Sequence, residues 1–200
     1  MFRSKRAEIL ERFRHILDSA RQFVKDKDEF IVFSDIYRGD SFQGIVSRPS
    51  ISLKVALYIR SELLKIIIGK EQADARIAIG FGTVDSLNKE RVEESDGEAF
   101  RCSGEALDGI KTYRRMSITS TWEEKNRHFR LLASFLDALI QRWSVEQAEA
   151  VSLWLQGNTQ QSISKRLGIS QPAVQQRLQN AGHFAVQEAL EYFEGLMQKI

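Results

Sequence analysis

The chain has 200 residues, of which 29 are Lys or Arg, 27 are Asp or Glu and 42% are hydrophobic. The near balance of charge excludes nucleic-acid or membrane binding through bulk charge, and the apolar share excludes extended disorder. One cysteine, no apolar signal-peptide core and no apolar run of membrane-spanning length favour a cytoplasmic protein without disulfides and without membrane association.

The first predicted elements are a helix and a hairpin. Residues 5–25 place apolar side chains at three- and four-residue steps, as one amphipathic helix does. Two apolar runs, residues 30–33 and 42–46, lie on either side of the turn dipeptide Gly39-Asp40. We interpret these runs as the strands of a β-hairpin.

Two carboxylates, Asp35 and Asp40, lie near the tip of this hairpin. Carboxylate oxygens bind divalent cations, so a metal ion, or a phosphate-bearing ligand held through one, is one interpretation of the pair. Aspartate is also common in turns because its side chain hydrogen-bonds the local backbone. The local sequence alone favours this second, structural interpretation.

Four more elements complete the amino-terminal part. The order helix, hairpin, helix, strand, helix, strand favours an α+β sheet with helices on one face over a doubly wound parallel sheet. Gly80 and Gly82 leave one face of their strand open to close approach by backbone or ligand. The elements after the hairpin are a helix from Pro49 to Gly69, a strand over residues 75–84, a helix over residues 97–110 and a strand over residues 115–119.

Three motifs occur in this part: Gly39-Asp-Ser-Phe-Gln-Gly44, Arg76-x-Ala-Ile-Gly-x-Gly82 and Ser95-Asp-Gly-Glu-Ala-Phe100. In type, order and spacing they resemble the SatD-like family, in which a domain similar to class III nucleotide cyclases and diguanylate cyclases is joined to a carboxy-terminal helix-turn-helix. The resemblance spans most of the chain. It implies a cyclase-like, ferredoxin-like antiparallel sheet with helices on one face, and a divalent metal at Asp40.

The sequence departs from this resemblance at two places. The family's first strand ends in an acidic residue that completes the metal pair, and Met1 lies where that strand would already have ended. Arg101 and Glu105 stand where cyclases place Asn and Arg, and a Glu there would repel a transferring phosphate. We therefore expect a degenerate cyclase-like domain that senses a ligand or dimerises, and we assign no catalytic residue.

Three short helices are predicted after a connecting helix over residues 121–143. Ser144, Thr159 and Ser170 are N-caps, and Gly157 and Gly168 end the first two helices. These signals divide the chain into a cyclase-like domain over residues 1–120, the connecting helix, and an all-α domain over residues 144–200.

Residues 159–178 resemble the helix-turn-helix of sigma-factor and LuxR-type regulators. The resemblance implies that the second helix enters the major groove of DNA, where glutamine binds adenine and arginine binds guanine or phosphate. The apolar positions that lock such a motif are Ile163, Leu167, Ile169, Val174 and Leu178, and the predicted DNA-binding residues are Lys165, Ser170, Gln171, Ala173, Gln175, Gln176 and Arg177.

The charge of this region is unfavourable for DNA affinity, because four Lys and Arg face five Glu from residue 144 onward. A homodimer would offset this by presenting two reading helices to one operator. We expect the second helix to continue beyond residues 180–182 and to pair with its equivalent in a second chain through an apolar stripe formed by Phe184, Val186, Leu190, Phe193, Leu196 and Met197.

Taken together, the sequence predicts a DNA-binding transcriptional regulator of prokaryotic type, dimeric, whose amino-terminal domain senses a small molecule or nucleotide or only dimerises. Two alternatives remain open at this level. One is a metal-dependent nucleotide-processing enzyme that uses Asp40. The other is a protein-interaction adaptor that uses both domains.

Overall fold

The computed structural model describes residues 2–34 and 41–198, and in these residues the chain is a mixture of α-helices and short strands. The helices are α1 (Phe2–Ala20), α2 (Ser52–Leu63), α3 (Glu98–Asp108), α4 (Glu123–Ile140), α5 (Val145–Leu155), α6 (Gln160–Leu167), α7 (Gln171–Asn180) and α8 (His183–Met197). The strands are β1 (Ile31–Phe33), β2 (Gly44–Val46), β3 (Ile67–Ile68), β4 (Glu71–Gln72), β5 (Ile77–Phe81) and β6 (Met116–Ser120).

The predicted hairpin is confirmed, but the predicted single antiparallel sheet is not formed by the described strands. They make three separate two-stranded sheets: β1 with β2 and β3 with β4, both antiparallel, and β5 with β6 in parallel. The parallel pair runs in register from Ile77 opposite Met116 to Phe81 opposite Ser120. The connection that parallel pairing requires is made by the segment between the two strands, which contains α3.

The helix predicted from Pro49 to Gly69 is shorter than expected. Pro49–Ile51 is a turn of 3₁₀ helix, and α2 ends at Leu63. Ile67 and Ile68 instead pair with β4 around Gly69, whose φ is 69°. The β-branched isoleucines favour an extended backbone, and a glycine accepts the left-handed conformation of the tight turn.

Helices cover both faces of the β5–β6 pair. Helix α4 packs against β6, and Phe81 of β5 contacts Phe129 of α4 and Phe193 of α8. On the other face α3 approaches β5 so closely that a Cβ atom on Gly80 would lie 2.2 Å from the backbone oxygen of Ala99. The open glycine face predicted on this strand is therefore approached by the backbone of α3.

A buried arginine joins α2 to the elements around the β5–β6 pair. Arg60 of α2 is fully buried, and it donates hydrogen bonds to both carboxylate oxygens of Asp74 and to Asp137 of α4. The second oxygen of Asp137 accepts from the backbone amide of Arg115, which precedes β6. These bonds hold three parts of the chain in place relative to one another: α2, the segment that precedes β5, and α4.

Most of the buried apolar side chains form one cluster, which includes residues of both α1 and α8. Helix α5 packs against α2, so the predicted all-α part shares this cluster with the predicted cyclase-like part. The boundaries at residues 120 and 144 stay predictions. None of the described helices combines the length and apolar character that crossing a membrane requires.

The continuous helix predicted across residues 180–182 is wrong. Helix α7 ends at Asn180, Gly182 has a φ of 70°, and α8 begins at His183. Gly182 lies against Leu139 of α4, where a Cβ atom would approach the leucine side chain to 3.0 Å. Most of the predicted dimer stripe is consequently occupied within the chain. Val186, Phe193 and Met197 are buried, and Leu190 and Leu196 are partly buried against the core.

Candidate nucleic-acid interface and ligand cavity

The three helices α5, α6 and α7 begin at the predicted caps. Ser144 forms a capping box with Gln147, in which each side chain accepts a hydrogen bond from the other residue's backbone amide. Thr159 accepts from the amide of Ser162, and Ser170 accepts from the amide of Ala173. Each of these bonds satisfies a backbone donor that the first turn of a helix leaves without a partner.

A short turn joins α6 to α7. Gly168 adopts the left-handed conformation with a φ of 64°, and the amide of Ile169 donates to the carbonyl of Ser164. Ile163, Val174 and Leu178 are fully buried between the helices, while Leu167 and Ile169 are partly buried. The five predicted locking positions thus lie in the interior of this unit.

The outer face of α7 is polar and carries no charge. Gln171, Gln175, Gln176 and Gln179 are all exposed, and within the described part of the chain their side chains make no hydrogen bond. Gln171, Gln175 and Gln176 are predicted DNA-binding positions, as are exposed Ser170 and half-buried Ala173. Their amides are available to donate and accept, as recognition of a base edge requires.

Arg177 lies on a different side of α7 from these glutamines. Its side chain is one-quarter exposed and bonds to Glu149 of α5 at 3.1 Å. In this arrangement the guanidinium connects α7 to α5, so contact with DNA requires the ion pair to open. Periodicity in the sequence did not distinguish Arg177 from Gln176, because the ion pair depends on the packing of α5.

The cations available near α7 are Lys165 and Arg166. Both lie in the last turn of α6 and are exposed, and neither forms a salt bridge with a described residue. Arg166 was not among the predicted DNA-binding residues, although its position beside Lys165 was a sufficient signal. The unit thus offers two free basic groups beside a row of glutamines.

A cavity of about 530 Å³ separates the hairpin from the β5 strand. Its floor is formed by α2, and aromatic side chains line it, among them Phe33, Phe42, Phe100 and Trp122. Ile77 and Phe81 direct their backbone groups toward β6, so the alternate residues Ala78 and Gly80 direct theirs toward the opposite edge of β5. That edge lines the cavity and pairs with no other described strand.

The predicted metal or ligand residues, Asp35 and Asp40, lie outside the described residues. Among those described, no group of three or more His, Cys, Asp or Glu side chains is placed to hold a metal ion. Arg101 and Glu105, the two residues of α3 that depart from the cyclase pattern, are exposed. Arg101 bonds to Asp96 at 3.1 Å and therefore acts within its own loop and helix.

Comparisons of the chain with protein-family models, with curated proteins and with solved structures returned no match.

Proposed function

We propose that this protein is a DNA-binding transcriptional regulator of prokaryotic type, in which α6 and α7 act as a helix-turn-helix. The observation that carries the proposal is the capped pair α6 and α7, locked by buried Ile163, Val174 and Leu178, with free glutamines on the outer face of α7. A rigid helix that presents uncharged amides fits reading of base edges in a major groove. The resemblance to the SatD-like family agrees with this proposal.

The roles of the residues follow from their positions. Gln171, Gln175 and Gln176 read base edges, Lys165 and Arg166 contact phosphates, and Ser170 holds the first turn of α7. Because each chain offers two free cations, we predict that its affinity for DNA depends only weakly on salt. A plot of the logarithm of the binding constant against the logarithm of the salt concentration should have a slope of about −1.8 per chain. Binding therefore depends more on sequence than on charge.

The experiment is a selection from random duplex DNA, followed by fluorescence anisotropy with the selected duplex. The double variant Gln175→Ala/Gln176→Ala is expected to lose about tenfold or more in affinity, because each amide contact contributes about 1–3 kcal/mol of discrimination. The matched control is Gln187→Ala, on the exposed face of α8, where the glutamine bonds only to Glu191. If no duplex is enriched, or if both variants bind like the wild type, the proposal is wrong.

A second function, the binding of a small molecule, is supported by the cavity between the hairpin and β5. Its aromatic lining and the unpaired edge of β5 suit a flat heteroaromatic ligand, such as a nucleobase, that stacks and hydrogen-bonds at once. Such a ligand would make the amino-terminal part the sensor and α5–α7 the output.

Thermal-shift measurements with a set of nucleosides and nucleotides test this function. Leu87 lies at the mouth of the cavity and is 41% exposed, so Leu87→Trp narrows the entrance without altering the core. Tyr113→Trp, at a 65% exposed position outside the cavity lining, is the control. We expect a stabilising compound whose effect is lost only in Leu87→Trp; an equal effect in both variants would place binding elsewhere.

A further inference from the structure

Helices α4 and α8 form an antiparallel pair whose outer side is apolar. Tyr192 Oη lies 2.7 Å from His128 Nδ1, near the start of α4 and the end of α8. Leu139, near the end of α4, contacts Gly182, which directly precedes α8. The groove between the helices has a volume of about 330 Å³ and is lined almost wholly by apolar side chains. The residues exposed along it or beside it are Leu131 at 49%, Phe135 at 73%, Phe184 at 64% and Tyr192 at 48%. We call this surface the α4–α8 face.

Level with the groove, the charges beside the α4–α8 face are divided by helix, whereas the first turn of α4, before Arg127, carries exposed Glu123 and Glu124. Arg127 and Arg130 are exposed on α4, and Glu188 and Glu191 are exposed on α8. Within the described part of the chain, none of these four side chains forms a salt bridge, and Glu191 only accepts a hydrogen bond from Gln187. The surface therefore carries a basic border along one helix and an acidic border along the other.

We propose that the α4–α8 face binds the same face of a second copy of this chain. In a two-fold dimer the same patch meets itself, so α4 of one protomer lies against α8 of its partner and each basic border meets an acidic one. The two helix pairs then form a four-helix bundle.

The size of the α4–α8 face suits such a dimer. Since a large side chain offers about 150–250 Å², the four exposed apolar residues present about 450 Å². A standard interface buries about 800 Å² per partner, so these residues supply more than half of it and the charged borders supply the remainder. This inference does not rest on DNA binding, although a dimer would give the protein two copies of α7.

The test is sedimentation velocity on the full chain at micromolar concentrations, without DNA. An acidic variant, Arg127→Glu/Arg130→Glu, and a basic variant, Glu188→Arg/Glu191→Arg, each place like charges across both halves of the interface. We expect the self-association constant of each variant alone to be lower than that of the wild type by about tenfold or more, because like charges now meet. An equimolar mixture restores both halves of the interface and forms a heterodimer.

The control carries the same change of charge away from the face. Lys70→Glu/Lys111→Glu alters two exposed lysines and is expected to dimerise like the wild type. Restoration in the mixture also shows that both variants are folded. A monomeric wild type, or an acidic variant that dimerises as well as the wild type, overturns the proposal; because DNA is absent, either result leaves the DNA-binding function to its own test.

Discussion

Replacing Arg60 with methionine removes the cation that holds one buried carboxylate, Asp137, and one partly buried carboxylate, Asp74. The Arg60 side chain is fully buried and bonds to Asp74 at 2.9 and 2.7 Å and to Asp137 at 2.8 Å. Methionine fills much of the same volume but donates nothing. Asp137, whose side chain is 3% exposed, would keep only the hydrogen bond from the amide of Arg115.

The expected cost of Arg60→Met is about 4 kcal/mol, because breaking a buried ion pair by removing one partner costs about 3–5 kcal/mol. Asp74 adds less than Asp137, since it is 15% exposed and also accepts from the amide of Ala75. Against a typical total stability of about 5–15 kcal/mol, a loss of this size leaves the protein close to unfolding.

Urea unfolding followed by circular dichroism, at one fixed protein concentration, measures this cost. The control Arg12→Met breaks an exposed pair with Glu8, whose side chains are more than half exposed, and should cost about 0.5 kcal/mol or less. Adding Asp137→Asn to Arg60→Met should recover part of the loss, because the uncompensated buried charge is removed. A cost for Arg60→Met below about 1 kcal/mol, or equal to that of the control, would refute the reasoning.

Three further predictions concern single residues. Burial, and then the charge of Glu62, raises the pKa of Tyr58 to about 12, above its ordinary value of 10.0. Tyr58 therefore ionises at lower pH in the unfolded chain than in the folded one, and the free energy of unfolding falls between about pH 10 and pH 12. An absorbance titration of tyrosinate measures the pKa, and urea unfolding at each pH measures the loss of stability. Gly168→Ala, at a φ of 64°, should lower the free energy of unfolding by about 1 kcal/mol, whereas Gly104→Ala, inside α3 with open space around it, should raise it by about 0.5–1 kcal/mol. Trp143→Phe loses the 2.8 Å hydrogen bond from the indole to the carbonyl of Ala181 and should cost about 1–3 kcal/mol in the same unfolding assay.

Local signals in the sequence predicted local structure well. The side chains of Ser144, Thr159 and Ser170 cap helices as expected, and Gly168 adopts the left-handed turn, because caps and turns depend on residues within a few positions of one another. The hairpin of β1 and β2 was predicted for the same reason.

Features that depend on contacts between residues far apart in the sequence could not be predicted from local signals. The parallel pairing of β5 with β6 brings together strands separated by α3, and their sequences alone carry no direction of pairing. Nothing in the sequence singled out Arg60, and only the fold shows its partners Asp74 and Asp137. The α4–α8 face likewise appears only when two helices far apart in the chain lie together.

The proposed DNA-binding function is tested most directly by the ratio of affinities for a selected duplex and for a scrambled duplex of the same composition, measured by competition at physiological salt. The proposal predicts a ratio of about 1,000 or more for the wild type, as for specific DNA-binding proteins in general. It also predicts that Gln175→Ala/Gln176→Ala reduces this ratio while Gln187→Ala leaves it unchanged. A ratio near one for the wild type would contradict the assignment of α7 as a helix that reads DNA sequence.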